Sequence, residues 1–255
     1  MRLIKQKQFI KALNREARLY IGLPDNYEHT DKTYPVIYMQ DGHNVFLEED
    51  AFKGVTWGML DLHKKHPDLP DFIVVALDCA HNEKRLDEYG AFRFQFEGMS
   101  RTCGGEGDKY LSYLAYDLKP FIDKHYRTKK GQGYTAIMGS SMGGIISLYA
   151  GLKYHDVFGI IASLSGSFFV SLSPYLDLIN KTDLSPLKKV YLDTGDSEIA
   201  GGNELDYVES NLEIYNALKR KLSADKLSFQ LIDGGKHFEA DWAARLPNVI
   251  RTIFS

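Results

Sequence analysis

The sequence predicts an α/β fold in which helices cover both faces of one mainly parallel sheet. Short apolar runs rich in β-branched residues alternate with amphipathic segments of helical period along most of the chain, as in repeated βα units. The chain has 255 residues, 44% of them hydrophobic, which is enough for one large core. No internal repeat, low-complexity tract or linker divides it. Residues 1–255 are therefore expected to form a single domain without a large lid domain.

Strands are predicted where short apolar runs end at turn-forming residues. In chain order these runs are residues 16–23, 35–40, 72–78, 134–139, 160–164, 189–193 and 227–232. Most of them are apolar almost continuously, as expected for strands that are buried on both faces. This pattern is the reason for predicting a mainly parallel sheet.

Helices are predicted at residues 109–125, 142–152, 206–221 and 241–253. In the first of these, Leu111, Leu114 and Leu118 recur at steps of three and four residues and belong to one apolar stripe. Pro120 lies inside the same segment and is expected to kink it, because proline has no N–H to donate. The polar, Gly-rich connection 79–108 is long, which makes it a candidate wall of a binding site.

Composition excludes several functions. The formal net charge is −3, from 31 basic and 34 acidic residues, so no nucleic-acid partner is expected. The two cysteines lack C-x-x-C spacing, and His63 and His66 have no further ligands at metal spacing. No metal and no cofactor are therefore predicted.

The chain shows neither a secretory signal nor an apolar stretch long enough to span a membrane. We therefore expect a cytoplasmic protein that acts on a small molecule and does not bind a membrane. The oligomeric state stays open between a monomer and a homo-oligomer.

The motif with the clearest chemistry is G-S-S-M-G-G, which starts at Gly139 at the end of a predicted strand and runs into a predicted helix. It places G-x-S-x-G between a strand and a helix, where a serine stands exposed on a tight turn. Ser141 is the candidate nucleophile, and Gly139 and Gly143 are the small neighbours that the turn needs. The N–H of Met142, at the start of the helix, is the candidate donor to an oxyanion.

A serine nucleophile needs a base and an orienting carboxylate, here in the chain order Ser, acid, His. His237 lies in the Gly-rich loop between the last predicted strand and the last helix and is the candidate base. The acid is expected after the strand 189–193, where Asp193, Asp196 and Glu198 compete. Asp193 still belongs to the strand, so Asp196 and Glu198 remain as alternatives.

A second oxyanion donor is expected in the D-G-H-N turn that follows the strand 35–40. Gly42 permits a close approach of the backbone. The N–H of His43 or of Asn44 then becomes the donor to the substrate carbonyl oxygen.

These motifs together resemble the esterase family of α/β-hydrolases that contains enterochelin esterases, feruloyl esterases, S-formylglutathione hydrolases and mycolyltransferases. The resemblance runs from about residue 19 to residue 253. It rests on YPVIYMQDGHNVF, RLDEYGAF, GGEGDKYLSYLAYDLKPFIDKHYRT, GSSMGG, YLDTGDSE and GGKHFEADWAARLP. It implies an α/β-hydrolase fold with Ser141 as nucleophile, His237 as base and Glu198, three residues after the turn glycine, as acid.

The resemblance also suggests a family element near the mouth of the site that contains Arg85, Glu88 and Tyr89. These residues either bind substrate or brace the loop, and a structural Arg–Glu pair is the favoured interpretation. Gly42, Arg85, Tyr89 and Trp242 are the candidate residues of the substrate pocket.

The predicted function is hydrolysis of a small carboxylic ester, with short acyl esters as the default substrates, through an acyl-enzyme intermediate. A thioester hydrolase of the S-formylglutathione type and an acyltransferase would use the same residues and stay open as alternatives. The net charge of −3 gives no overall attraction for an anionic glutathione thioester. A non-catalytic interaction protein on this scaffold is the third alternative, and the full set of candidate catalytic residues disfavours it.

Overall fold

The computed structural model describes residues 1–95, 99–199 and 204–255, which leaves part of the connection 79–108 outside the described residues. These residues form an eight-stranded mixed sheet with the strand order β1-β2-β4-β3-β5-β6-β7-β8. Helices pack on both faces of the sheet. The predicted fold class is confirmed.

The strands are β1 (Arg2–Ile10), β2 (Arg15–Leu23), β3 (Val36–Met39), β4 (Ile73–Leu77), β5 (Thr135–Ser140), β6 (Ile160–Leu164), β7 (Lys189–Gly195) and β8 (Leu227–Ile232). The helices are α1 (Leu62–Lys65), α2 (Lys84–Tyr89), α3 (Gly107–Tyr113), α4 (Lys119–His125), α5 (Met142–Lys153), α6 (Leu172–Lys181), α7 (Glu204–Lys219) and α8 (Glu239–Ile253). Each predicted strand corresponds to one of β2 to β8 within two residues at either end.

The sheet starts with an antiparallel hairpin whose first strand the apolar runs do not predict. Strand β1 pairs with β2, and β2 pairs antiparallel with β4, whereas all the pairs from β4 to β8 are parallel. Strand β1 carries Arg2, Lys5 and Lys7 and alternates between more and less exposed residues. An edge strand with one face in water has no need of a continuous apolar run, so its sequence lacks that signal.

Two apolar cores lie on opposite faces of the sheet, and strand β3 contributes to both. Val36 and Tyr38 belong to the core under α3 to α7, whereas Ile37 and Met39 belong to the core under α8. This alternation follows from the two-residue period of a strand. It explains why the strand reads as a continuous apolar run.

The predicted helix at residues 109–125 is divided into α3, a π-helical turn at Leu114–Leu118, and α4. In the π turn, the N–H of Lys119 bonds to the carbonyl oxygen of Leu114, five residues back. Pro120 follows in the first turn of α4 and has no N–H for the α-helical ladder. The wider turn accommodates this missing donor, so the irregularity expected at Pro120 takes the form of a π turn.

The short helices α1 and α2 and the longer helix α6 were not predicted from the sequence. Pro174 lies in the first turn of α6, where a residue without an N–H has no intrahelical bond to lose. Among the helices that the structure describes, none combines the length and the apolar character needed to cross a membrane.

Helix α5 is buried along its whole length except at Lys153. Leu148→Ala in its middle is expected to lower the free energy of unfolding by about 2–5 kcal/mol, because it removes buried methyl groups and leaves a cavity. Leu212→Ala on α7, where the leucine is 36% exposed, is the control and is expected to cost less than about 1 kcal/mol. Urea denaturation measures both values. Equal losses would contradict the central position of α5.

Candidate active site

The carboxyl ends of the parallel strands carry the turns that contain the candidate catalytic residues. Non-glycine residues with positive φ occur in the turns after three of these strands: Asp41 after β3 (52°), Ser141 after β5 (57°) and Ser165 after β6 (48°). L-residues rarely adopt this region, at a cost of about 1–3 kcal/mol each. Strain of this kind at one edge of a sheet indicates a functional site, and in α/β sheets ligands bind at the carboxyl edge.

Ser141 forms the turn between β5 and α5, with φ 57° and ψ −125°. The turn is so tight that a Cβ on Gly139 would lie 2.7 Å from the carbonyl carbon of Gly143. A Cβ on Gly143 would lie 3.0 Å from the Cβ of Gln40. Both glycines are therefore needed where β5, α5 and the end of β3 pack together. Met142 begins α5, so its N–H lies at the positive end of the helix dipole, next to the serine.

His237 and Glu198 form a hydrogen-bonded pair. The imidazole Nδ1 lies 3.0 Å from Oε2 of Glu198, which has no exposed surface. The other carboxylate oxygen accepts hydrogen bonds from the Gly195 N–H at 2.6 Å and from the Ser165 hydroxyl at 2.5 Å. Both oxygens of Glu198 are therefore engaged, and the position of the carboxylate fixes that of the imidazole.

The alternative acid, Asp196, has other partners. Its Oδ1 accepts hydrogen bonds from the Gly234 N–H at 2.9 Å and from the Ser197 hydroxyl at 3.0 Å. Asp196 therefore ties the turn after β7 to the turn after β8. Of the two candidate carboxylates, Glu198 is the one that contacts His237.

A buried polar cluster centred on Arg245 of α8 lies behind this pair. Its Nη1 donates to Oδ1 of Asp193 at 3.1 Å and to the hydroxyl oxygen of Ser165 at 3.0 Å, and it lies 3.7 Å from Oε1 of Glu198. The indole N–H of Trp242 donates to the same hydroxyl oxygen at 2.9 Å. Burial raises the pKa of Asp193 to about 6, even though Arg245 acts in the opposite direction. One guanidinium therefore lies against two buried carboxylates.

The turn after β3 is held by Arg85 and Tyr89 of α2. The Arg85 guanidinium makes two hydrogen bonds to the Asp41 carboxylate, at 2.6 and 2.8 Å. The Asp41 N–H donates to the Tyr89 hydroxyl oxygen at 2.9 Å. Burial acts to raise the pKa of Asp41, but the Arg85 charge outweighs it and holds that pKa below its usual value. These contacts fix the turn that contains His43 and Asn44.

The two candidate N–H donors in this turn differ in what they bond. The Asn44 N–H donates to the carbonyl oxygen of Asp41 at 2.8 Å. Its side chain accepts the Phe52 N–H at 2.8 Å and donates to Glu239 at 3.3 Å. Asn44 therefore braces the loop, which corrects its assignment as an oxyanion donor. The N–H of His43 is left as the candidate donor in this turn.

A cleft of about 690 Å³ lies over these turns. Ser141 and His237 line it, together with the apolar side chains of Phe52, Ile199 and Trp242. Phe52 and Ile199 are 57% and 71% exposed, so the cleft has apolar surface at its rim. A concave site of this size with a few convergent polar groups is typical of small-molecule binding.

The four expected pocket residues divide into two groups. Arg85 and Trp242 line the cleft. Tyr89 has no exposed surface. Gly42 is packed so closely on β4 that a Cβ would lie 2.8 Å from the carbonyl carbon of Leu77. Tyr89 and Gly42 therefore do not line the substrate pocket as expected. They support the turn after β3 from its buried side.

The Arg–Glu pair expected within α2 is replaced by two separate pairs. Glu88 is bonded by Arg15 of β2 at 2.5 and 2.6 Å and also accepts the Ala80 N–H at 3.0 Å, while Arg85 is bonded to Asp41. Residues three apart on a helix are able to pair locally. Here Asp41 and Glu88 are both buried, and each has its own guanidinium because a buried carboxylate without a cation is costly.

Ser167 and Tyr207 lie beside the candidate nucleophile, although neither was predicted from the sequence as a site residue. The Ser141 Oγ hydrogen-bonds with the Ser167 Oγ at 3.1 Å, and within the described residues it makes no hydrogen bond to the imidazole of His237. The Tyr207 hydroxyl lies 3.4 Å from the Ser167 Oγ and 3.5 Å from Nε2 of His237. The S-G-S turn after β6 is the sequence signal that could have identified Ser165 and Ser167 as site residues, because the parallel strands β6 and β5 end at the same edge of the sheet.

The family model described as "Putative esterase" matches residues 10–253 of this chain. The chain belongs to this esterase family. It is therefore an ester hydrolase of the serine-hydrolase type.

This esterase is 26% identical over 252 residues to "Uncharacterized protein YbbA" of Bacillus subtilis, a match that covers 96% of this chain and 94% of the relative. Its structure is similar to that of a ferulic acid esterase, with a TM-score of 0.71, 21% identity and 98% of both chains covered. It is also similar to an IroE-like serine hydrolase from Shewanella oneidensis, with a TM-score of 0.78, 17% identity, and 99% of this chain and 80% of the other covered. At these identities the structural likeness establishes the fold.

Asp41, His43 and Cys79 of the esterase resemble a metal-ligand set, because one ligand atom of each lies within 4.8 Å of the others. Arg85 bonds both oxygens of Asp41. Burial raises the pKa of the Cys79 thiol well above its usual value, so the sulfur keeps its proton. A divalent cation at this position would meet a guanidinium and an S–H group. These residues therefore do not fit a metal ion.

Removing the guanidinium from the buried cluster tests its structural importance. Arg245→Met is expected to lower the free energy of unfolding by about 3–5 kcal/mol, because it leaves Asp193 and Glu198 buried without a cation. The matched control is Arg251→Met on the same helix, where Asp68 lies 2.7 Å away in an exposed ion pair. That change is expected to cost less than about 1 kcal/mol. Urea denaturation of the two variants measures the difference.

The loss in the free energy of unfolding caused by Arg245→Met is expected to grow as the pH rises. The pKa of Asp193 in the folded protein is about 6, above the value of about 3.9 for a free aspartate. The folded state therefore binds the extra proton and loses stability as the pH rises between these two values. Without Arg245 the folded-state pKa rises further, so the loss continues above about pH 6. A deficit that is equal at about pH 5 and about pH 8 would argue against this account.

Proposed function

We propose that this esterase hydrolyses small carboxylic esters through an acyl-enzyme on Ser141, with His237 as general base and Glu198 as the residue that orients the imidazole. The observation that carries the proposal is the 3.0 Å hydrogen bond between His237 Nδ1 and Glu198 Oε2, because His237 and Ser141 line the same cleft. A serine beside a histidine that is held by a buried carboxylate is the arrangement that activates a hydroxyl as a nucleophile.

In the first step, the Ser141 hydroxyl exchanges its hydrogen bond with Ser167 for one with Nε2 of His237. Catalytic hydrogen bonds in a free enzyme are often long or poorly aligned, and they tighten when the substrate binds. The imidazole then accepts the serine proton while Oγ adds to the carbonyl carbon of the ester. Glu198 stabilises the imidazolium, because its Oε2 accepts the hydrogen bond from Nδ1–H.

The negative charge on the former carbonyl oxygen is proposed to bind between two N–H groups. One belongs to Met142 at the first position of α5, where the helix dipole adds to the attraction. The other belongs to His43, in the turn fixed by Asp41 and Arg85. A pair of preorganised donors of this kind stabilises the tetrahedral intermediate more than the substrate.

Collapse of the tetrahedral intermediate breaks the bond to the alcohol oxygen. The alcohol takes the proton from Nε2 of His237 and leaves the acyl group on Ser141. Water then gives a proton to the same imidazole and adds to the acyl carbon. A second collapse releases the carboxylic acid and returns the proton to Ser141. These steps need only the residues of this chain and water.

Short acyl esters of small alcohols or phenols are the proposed substrates. The cleft of about 690 Å³ accommodates a small molecule. The exposed apolar side chains of Phe52 and Ile199 at its rim offer a surface for the acyl or the alcohol part. Trp242 adds aromatic surface next to His237, with ring centroids 4.9 Å apart.

Loss of the nucleophile gives the most direct test. Ser141→Ala is expected to lower kcat/KM for 4-nitrophenyl acetate by about 10⁴–10⁶-fold, because no acyl-enzyme forms. A fluorophosphonate probe is expected to label the wild type and not this variant. Ser185→Ala removes an exposed hydroxyl and is the control, with labelling and rate unchanged. Ester hydrolysis by Ser141→Ala at the wild-type rate would rule out the mechanism.

The two carboxylates are tested by a matched pair of amides. Glu198→Gln is expected to lower kcat by about 10³–10⁴-fold, by analogy with other triad acids, because the amide no longer stabilises the imidazolium. Asp196→Asn keeps an oxygen that accepts the Gly234 N–H and is expected to change kcat by less than about threefold. Similar losses in both variants would remove the reason for choosing Glu198.

A further inference from the structure

The Tyr207 hydroxyl lies next to the atom that protonates the departing alcohol. It is 3.5 Å from Nε2 of His237 and 3.4 Å from the Ser167 Oγ, which in turn lies 3.1 Å from the Ser141 Oγ. In the proposed mechanism the alcohol oxygen must lie within hydrogen-bond distance of the same Nε2. The phenol hydroxyl therefore borders the volume that this oxygen enters.

Several contacts fix the position of this hydroxyl. Asn211, one turn further along α7, donates to the carbonyl oxygen of Gly166 at 2.7 Å and to that of Tyr207 at 2.9 Å. This ties the helix to the turn after β6. The Tyr207 ring packs edge-on against Phe169, with ring centroids 4.8 Å apart, and lies 4.7 Å from the ring of His237. Tyr207 is 2% exposed and Asn211 has no exposed surface. Packing therefore holds the phenol ring in place.

The phenol carries its proton at neutral pH. Burial raises the pKa of Tyr207 to about 12, against hydrogen bonds with Ser167 and Ser141 that act in the opposite direction. The hydroxyl is therefore a hydrogen-bond donor under working conditions.

Tyr207 lies on the side of Ser141 opposite the turn that contains His43. Strands β3 and β6 flank β5 on its two sides. The turn with His43 follows β3, whereas the turn with Ser167 follows β6 and is the one that α7 packs against. The carbonyl oxygen and the alkoxy oxygen of a tetrahedral intermediate are different atoms that need different donors. Tyr207, on the β6 side, is therefore placed to serve the alkoxy oxygen.

We propose that Tyr207 is a catalytic residue that donates a hydrogen bond to the alkoxy oxygen of the ester as the alcohol departs; this role rests on the acyl-enzyme mechanism proposed above. When the tetrahedral intermediate collapses, the bond between the acyl carbon and the alkoxy oxygen breaks, and its electron pair stays on that oxygen. The proton on Nε2 of His237 moves to the same oxygen. Tyr207 keeps its own proton and stabilises the charge that develops before the transfer is complete.

This role makes the contribution of Tyr207 depend on the leaving group. An alkoxide is a strong base, so an alkyl leaving group develops a charge that needs stabilisation, whereas 4-nitrophenolate is a weak base that is stable in water without help. A hydrogen bond to the leaving oxygen therefore accelerates alkyl esters more than nitrophenyl esters. Loss of a residue that only supports the fold is expected to slow alkyl and nitrophenyl esters equally.

The test is a leaving-group series of acetate esters, namely 4-nitrophenyl, phenyl, trifluoroethyl and ethyl acetate. Tyr207→Phe is expected to lower kcat/KM for ethyl acetate by about 10- to 100-fold and for 4-nitrophenyl acetate by less than about threefold, the size of one hydrogen bond to a developing charge. The matched control is Tyr215→Phe, which removes a hydroxyl from the same helix where the ring stacks on Phe229 at 5.0 Å. The control is expected to leave the whole series unchanged.

An equal loss for all four esters, or no loss for ethyl acetate, would overturn the role of Tyr207. A second variant, Tyr207→3-fluorotyrosine, keeps the ring and makes its hydroxyl a stronger donor. It is expected to raise kcat/KM for ethyl acetate relative to 4-nitrophenyl acetate, and a fall in that ratio would also overturn the proposal. Hydrolysis that persists in Ser141→Ala would instead overturn the acyl-enzyme mechanism, so the two failures are distinguishable.

Discussion

The Arg245 guanidinium is the group on which the geometry of the site depends. Asp193 and Glu198 have no exposed surface, and two carboxylates buried together are tolerated only beside a cation with well-formed hydrogen bonds. Arg245 supplies that cation from α8 and also bonds the Ser165 hydroxyl oxygen, while the Ser165 hydroxyl donates to Glu198. The orientation of His237 is therefore set by a chain of contacts that begins at Arg245 on α8, the helix that follows His237. The contact between His237 and Glu198 does not by itself reveal the cation that allows Glu198 and Asp193 to be buried.

The central sheet and the turn at Ser141 were predictable from sequence because their signals are local. A continuous apolar run indicates a strand buried on both faces, and G-x-S-x-G after such a run indicates the tight turn. The edge strand β1 lacks the first signal because one of its faces meets water. Asp196 and Glu198 are only two positions apart, so the backbone path of the turn after β7 decides which of them reaches the imidazole. The local sequence does not predict that path.

The contacts that sequence reasoning missed are those between residues far apart along the chain. Arg245 pairs with Asp193 across 52 positions, and Arg85 with Asp41 across 44. An arginine in an amphipathic helix usually lies in water, so only the fold reveals that one is buried. Tyr207 belongs to the same class, because the helical period of α7 does not say which of its residues meets the turn after β6.

The hydrogen bond between Asn44 and Glu239 joins residues that are 195 positions apart. Contacts of such long range form only after a large loop has closed, and loop closure of this kind slows folding. A nascent chain that ends with β7 contains the serine turn and seven of the eight strands, but it lacks His237 and Arg245. The catalytic centre is therefore among the last parts of the molecule to assemble during synthesis.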